Sequence, residues 1–452
     1  MPCEGPVPLH HPRRADPDPA AESPVAFVPG TNRLAARRPF ASWTAPVATM
    51  ARRWLGWRWW AQALSIWAVS RVWSTIILVA TYHDSGGRVD LSDLVIHLGG
   101  SWDSAWYRGI AEDGYPDDLP RNPDGSVPQN NWNFYPMLPY VGRYLMRLTG
   151  LSWNTVTVAV VVVCGMVAVC LIDRVMQAGA DRWLDRSRSM ALWTVTLMCF
   201  YPSSPLFQVS YTEVPALMGI AAFLLAVIHR RYELAILIVI PVGVTRAVVL
   251  PLAAVVGFHA LDRFWTARRQ AAADGVRLTS VFRPVDMARV ALLAVASTVA
   301  GFEWAILVGI ATGVPDGLLL SQQAWRTTGP IDPVHTWLRY SEDILGPWAG
   351  PILLVVIIAG IVALAAWPGG RVLGPEVRAF AWIYPMYLIG ASFPNTSIIR
   401  FMMVDFPLGA VTVRLVRSRA GLIAVLGLFA IAQLVWTVWL WETPSTGIAG
   451  PP

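Results

Sequence analysis

The residues with the most chemistry to offer sit in GGSWDSAWYRGIAEDGYP, residues 99–116, where Asp103, Arg108, Glu112 and Asp113 stand among tryptophans and tyrosines in an otherwise oily chain. Partial desolvation makes a carboxylate a stronger proton acceptor, so an acid beside tryptophans at the mouth of a membrane cavity can act as a general base on a bound hydroxyl. Asp103 is that candidate. Arginines in three other segments, Arg246, Arg326 and Arg400, carry the planar fork that grips a phosphate through two parallel hydrogen bonds. A base and a phosphate clamp together amount to group transfer from a phosphorylated donor. The bland alternative makes Asp103 a helix N-cap, the other loop charges a solvated face, and Arg246 a structural arginine bonded to the carbonyls of a broken helix. Both readings stand on the residues alone.

The elements that must position these groups are membrane helices. With 452 residues, 55% hydrophobic and 14% charged, and a mean hydropathy of +0.48, the chain is far too apolar for a soluble globular protein. Its formal charge of +6 is carried by arginines between apolar runs and not along one polar face, which speaks for membrane orientation and against a nucleic-acid partner. Cys3 lies in the N-terminal tail and Cys164, Cys170 and Cys199 lie in apolar runs, where thiols pack as small hydrophobes. Neither a disulfide framework nor a CxxC spacing appears. The histidines form no HxxH pattern and no DxD spacing stands near Asp103, so no metal ligand and no certain cofactor is assigned. Phosphate chemistry leaves room for one divalent cation, Mg or Mn, held by carboxylates.

Apolar runs near 61–81, 153–173, 190–209, 213–229, 289–312, 350–367, 378–394, 400–416 and 421–440 predict an all-α polytopic fold with about nine spans, each needing roughly 20 residues. Residues 1–50, rich in Pro, Ala and Arg, read as a disordered cytoplasmic tail, with Met50 an alternative start. Residues 61–82 read as an uncleaved first span. Residues 51–441 then form one transmembrane domain. Arg52, Arg53 and Arg58, Arg174 to Arg188, and the basic loop 261–288 belong in the cytoplasm. The acidic loop 82–133, the loop 313–348 and the short tail 442–452 belong outside, which puts the site on the extracytoplasmic face of the cell membrane. Within the first outer loop, Trp102, Trp106 and Ile110 share a helical face, which predicts an amphipathic helix with aromatics toward lipid and acids toward water.

One segment breaks the count. Arg230 and Arg231 and the loop after Asp262 should share a side, yet LAILIVIPVGVTRAVVLPLAAVVGFHA between them is too short for two full crossings. Pro241, Gly243 and Pro251 mark a break, so this is a re-entrant pair of half-length helices with Arg246 at its tip. A charge at that depth calls for a partner or a ligand.

Five elements in order, WDSAWYRGIAEDGYP (102–116), NNWNFYPMLP (130–139), SYTEVPALMG (210–219), GVTRAVVLPL (243–252) and SIIRFMMVDFPL (397–408), resemble the PIG-V-type mannosyltransferases, multispanning enzymes of the GT-C glycosyltransferase class. The resemblance implies a GT-C-like fold and transfer of mannose from a polyprenyl-phosphate sugar to a lipid-linked or envelope glycan acceptor, with Asp103 catalytic. It further implies that Arg246, with Arg400 or Arg326, holds the donor phosphate. Trp102, Arg108, Glu112, Asp113, Tyr115, Asn133, Tyr135 and Glu213 become the substrate-binding candidates, with membrane lipids as surroundings. The chain departs from the family pattern at Asn130, Asn131 and Asn133, where a glutamate is usual, and at Ala247 and Val248 after Arg246. Two other readings remain open: a transporter or lipid flippase, for which broken helices with an intramembrane arginine are also a signature, and a non-catalytic partner in an envelope glycan assembly complex.

Overall fold

A computed structural model describes residues 49–50, 52–84, 90, 99–100, 102–180, 187–325, 333–392 and 397–438. The chain divides into two units, Met1–Gly56 and Trp57–Pro452. The expected tails, apart from the last residues before Gly56, lie outside the described residues. The second unit is all-helical, with no strand among its described residues. In chain order the helices are α1 (Trp59–Asp84), α2 (Asp103–Glu112), α3 (Met137–Thr149), α4 (Trp153–Ala180), α5 (Ser187–Cys199), α6 (Glu213–Ile228), α7 (Tyr232–Gly243), α8 (Val249–Asp274), α9 (Leu278–Val281), α10 (Pro284–Thr312), α11 (Gly317–Gln323), α12 (Pro333–Ala366), α13 (Pro375–Ala391), α14 (Ile398–Phe401), α15 (Pro407–Leu415) and α16 (Arg419–Trp436).

Five of these, α1, α4, α10, α12 and α16, are long and apolar enough to cross a membrane, and α6 and α7 are shorter apolar helices. The long helices turn apolar side chains outward: Val69, Val72 and Ile76 on α1, Val295, Val299 and Phe302 on α10, Val355 and Val356 on α12. A continuous apolar exterior of this kind is compatible with hydrocarbon and not with water. The protein is a multi-pass membrane protein.

Two of the nine expected spans are not continuous helices. The run 190–209 is helical only to Cys199 and then passes into a 3-10 turn, Ser204–Gln208. Pro202 and Pro205 remove backbone donors there. The freed carbonyls of Cys199 and Ser204 accept hydrogen bonds from Arg71 at 2.9 and 2.6 Å. The run 400–416 splits into α14, a 3-10 turn Met402–Val404 and α15, whose nine residues cover only about 14 Å. Along the run expected at 350–367, α12 starts earlier, at Pro333, and kinks at Gly346, whose φ of 86° is followed by Pro347 and Pro351.

The core is built around α6. A helix apolar on every side has no face to give to solvent and takes the centre; Val214, Leu217, Ile220, Phe223, Leu224 and Val227 on α6 are all fully buried, with α4 and α7 packed against them. Behind α6 comes the broken pair. Helix α7 ends at Gly243 and α8 begins at Val249, so the chain turns at the expected tip. The second arm is not half-length: α8 runs 26 residues, about 39 Å, because no proline or glycine interrupts it after Gly257 until Gly275. Gly243 is required where it stands, since a Cβ there would lie 2.5 Å from the Ala300 carbonyl oxygen of α10.

Candidate active site

The site is assembled at the end of the bundle where α6 begins and the α7–α8 pair turns. Asp103 opens α2 and Glu213 opens α6, so both carboxylates sit in a first helical turn, where the helix dipole favours negative charge. The chain reaches Asp103 through Trp102, the N-cap of α2, at φ 54° and ψ −123°. For a bulky L residue that conformation costs about 1–3 kcal/mol, a strain that persists only where surrounding contacts enforce it. Asp103 is thus not the N-cap; it is the first residue of a helix whose buried face is Asp103, Ser104, Tyr107, Ile110 and Ala111. The expected orientation is corrected accordingly. Trp106 does not face lipid but stacks on Phe134 at 5.5 Å and meets Trp325 edge-on at 5.3 Å, and the acid at the start of the helix points inward.

Four charged side chains meet here. Arg400 Nη1 donates to Asp103 Oδ2 at 2.7 Å and to Glu213 Oε1 at 2.9 Å. Arg246 Nη2 lies 3.1 Å from the same Glu213 oxygen, and its Nη1 donates to Thr212 Oγ1 at 3.1 Å. The ring of Phe401 lies near both guanidinium groups, 4.6 Å from that of Arg246 and 5.0 Å from that of Arg400, and Arg400 also lies 5.2 Å from the Tyr211 ring. Tyr107 and Thr212 share a hydroxyl contact of 3.1 Å, and the Asp103 N–H donates to Tyr211 Oη at 3.4 Å. Burial pushes the Tyr107 hydroxyl pKa upward, reinforced by Asp103 and Glu213, so it stays neutral. Burial by itself would lower the Arg400 pKa, but Asp103 and Glu213 outweigh it and the net direction is up.

The cluster is balanced in charge, two carboxylates against two guanidiniums, but not saturated in hydrogen bonds. Glu213 Oε2 and Arg400 Nε are buried without a partner. Asp103 Oδ1 makes no hydrogen bond among the described residues. Side-chain exposure falls from 15% for Arg246 to 8% for Arg400 and 0% for Glu213, which leaves Arg246 the most approachable of the three. Groups taken out of water with unused donors and acceptors are expected to meet a ligand.

Of the residues singled out from sequence, Asp103, Glu213, Arg246 and Arg400 are brought together. Trp102 adjoins them. Tyr115 and Tyr135 belong to an aromatic layer, Tyr115 stacked on Trp132 at 4.6 Å and Tyr135 beside Trp304 at 5.9 Å. Asn133 ends the half-buried 3-10 turn Asn131–Asn133. This layer is tied to the turn between α7 and α8 by the Met137 N–H, which donates to the Val244 carbonyl at 3.0 Å. Arg108 and Glu112 pair with each other at 2.7 Å on the exposed side of α2, and Asp113 is exposed at its end. Arg326 lies outside the described residues. Tyr107, Tyr211, Thr212 and Phe401 were not singled out; the spacing of Tyr107, four residues after Asp103 on one helical face, carried the signal for it. Among the described residues no group of three or more His, Cys, Asp or Glu comes together that could hold a metal ion, and Asp103 and Glu213 turn to arginines instead.

No family model matches the sequence, and no curated protein matches it. Among solved structures, the chain is similar to the oligosaccharyltransferase AglB of the archaeon Archaeoglobus fulgidus, in complex with an inhibitory peptide and a dolichol-phosphate, with 13% identity and a TM-score of 0.38. The match covers 86% of this chain and 56% of that one, so the chain spans little more than half the length of the structure it matches.

Proposed function

We propose that the protein is a membrane glycosyltransferase of the GT-C class that moves mannose from a polyprenyl-phosphate donor to a lipid-linked or envelope glycan acceptor on the extracytoplasmic face, with inversion at the anomeric carbon. One observation carries this reading. Asp103, Glu213, Arg246 and Arg400 come from four of the five elements that resemble PIG-V-type mannosyltransferases, and they meet within hydrogen-bond reach although Asp103 and Arg400 are 297 residues apart. A general base beside two guanidiniums with unused hydrogen-bonding atoms matches the requirements of transfer from a sugar phosphate.

In this mechanism the acceptor oxygen forms a bond to the anomeric carbon while the bond from that carbon to the phosphate oxygen breaks. The electron pair leaves with the polyprenyl phosphate, and the hydroxyl proton passes to Asp103 Oδ1, the oxygen not engaged by Arg400. Arg246 and Arg400 stabilise the charge that grows on the leaving phosphate. Glu213 neutralises both arginines before the donor arrives, so the donor phosphate replaces one carboxylate contact and does not enter an unbalanced site. Trp102, Tyr115, Asn133 and Tyr135 serve as sugar contacts in this reading.

The test incubates purified protein, wild type beside Asp103→Asn, with radiolabelled polyprenyl-phosphate mannose and a membrane lipid extract, and separates the lipids by chromatography. A labelled product made by wild type and not by Asp103→Asn is expected. Equal product from the two removes Asp103 as the base. Accumulation of label in vesicles without any new covalent product makes the protein a transporter.

A further inference from the structure

The opposite end of α6 opens on a second cavity, of about 800 Å³, that the transfer reaction does not use. Glu213 begins α6 in the site and Ile228 ends it on the cavity wall, so about 24 Å of helix separates the two. Five arginines line the cavity: Arg230 just after α6, Arg263 and Arg269 from the second half of α8, Arg371 from the 3-10 turn before α13, and Arg378 from the first turn of α13. Two carboxylates, Asp262 and Glu376, line it as well, which leaves an excess of three positive charges.

Among the described residues, that excess is not absorbed by ion pairs. Glu376 accepts a hydrogen bond from His259 Nδ1 at 2.5 Å. The other ring nitrogen of His259 lies 3.0 Å from Tyr232 Oη, which in turn accepts from Arg263 Nη1 at 2.6 Å. Arg263 donates to the tyrosine hydroxyl, and the two ring nitrogens of His259 carry this chain of contacts on to Glu376. It occupies Glu376 and one donor of Arg263. Arg230, Arg269 and Arg371 make no ion pair among the described residues. Arg378 donates to the Ala365 carbonyl, while its Nε is buried without a partner. Like charges converging on one concave surface repel unless an anion holds them together.

We propose that this cavity binds a phosphate monoester or diphosphate group, at the end of the bundle remote from Asp103. Arginine forks suit the several oxygens of such a group. Two sources share that chemistry, a soluble phosphate compound and the headgroup of an anionic lipid whose chains lie along the bundle. The site is independent of the transfer reaction.

The test uses the full chain in detergent and in lipid nanodiscs. The variant Arg269→Gln with Arg371→Gln removes two exposed side chains with no ion-pair partner among the described residues, so folding is preserved; a melting curve without ligand checks this. Adding Arg378→Lys gives a second variant that keeps charge but loses the fork. Calorimetric titration with inorganic pyrophosphate in low salt measures the soluble source. Native mass spectrometry after extraction from phosphatidylcholine nanodiscs with and without phosphatidic acid measures the lipid source. For at least one probe, binding should weaken about tenfold or more in the double glutamine variant, since two charge-assisted contacts are lost. Arg121→Gln, an exposed side chain between α2 and α3 that is outside the cavity lining, should bind as wild type does. Loss of pyrophosphate alone assigns a soluble ligand, and loss of phosphatidic acid alone assigns a lipid headgroup. Equal behaviour of wild type and the glutamine variant toward both probes, including no binding by either, overturns the proposal.

Discussion

Replacing Arg400 with glutamine tests the geometry of the ionic cluster most directly. Arg400 Nη1 holds Asp103 at 2.7 Å and Glu213 at 2.9 Å, with side-chain exposures of 8% for the arginine, 11% for the aspartate and 0% for the glutamate. Removing one partner of a buried ion pair costs about 3–5 kcal/mol, because the remaining charge is left without compensation in a medium that solvates it poorly. Glu213 retains Arg246 at 3.1 Å, so the uncompensated group is chiefly Asp103. The second substitution, Asp103→Asn, therefore has opposite effects in two backgrounds. In wild type it replaces a charge-assisted acceptor by a neutral one and destabilises by about 1–2 kcal/mol. In Arg400→Gln it removes the unpaired charge and stabilises. Equilibrium unfolding in mixed micelles, followed by labelling of the buried Cys199 thiol, gives the four midpoints of the cycle. Additive effects, or a loss below about 1 kcal/mol for Arg400→Gln, would refute the reasoning.

Tyr107→Phe deletes the 3.1 Å hydroxyl contact to Thr212, which also receives Arg246; the cost should be about 1 kcal/mol, and steady-state kinetics should show the donor KM rising more than the acceptor KM. Gly243→Ala sets a Cβ 2.5 Å from the Ala300 carbonyl oxygen and 2.6 Å from Glu303 Oε2, so thermal unfolding should show a loss of about 1–3 kcal/mol as the broken pair is pushed off α10. Arg108→Ala breaks a pair whose side chains are 51% and 41% exposed; stability should change by less than about 0.5 kcal/mol, and transfer measured beside wild type should be unchanged, although the residue stood among the substrate-binding candidates.

The break between α7 and α8 could be read in the sequence because Pro241 and Gly243 mark it, whereas the full length of the second arm could not. Asp103 and Glu213 could be read because an acid is conspicuous in an apolar chain. What stayed hidden depends on tertiary satisfaction. Nothing in the run 190–209 announces that Arg71, 128 residues before Cys199, supplies the donors that let the chain break there. Arg71 takes the structural task of binding backbone carbonyls, whereas Arg246 binds side chains in the site. The inward turn of Asp103 was hidden too, because the face of a short helix is decided by whatever packs on it, here Thr212 and Tyr211 against Tyr107 and Asp103.

The 297 residues between Asp103 and Arg400 also set an order of events during synthesis. Glu213 leaves the ribosome only shortly before Arg246 and finds a counter-charge almost at once. Asp103 does not: at about 5–20 residues per second, Arg400 follows it by roughly 15–60 seconds. For that interval the nascent protein lacks this partner of Asp103, and a chain interrupted before α14 lacks it permanently. The contact that completes the site thus forms only after α14 has been made.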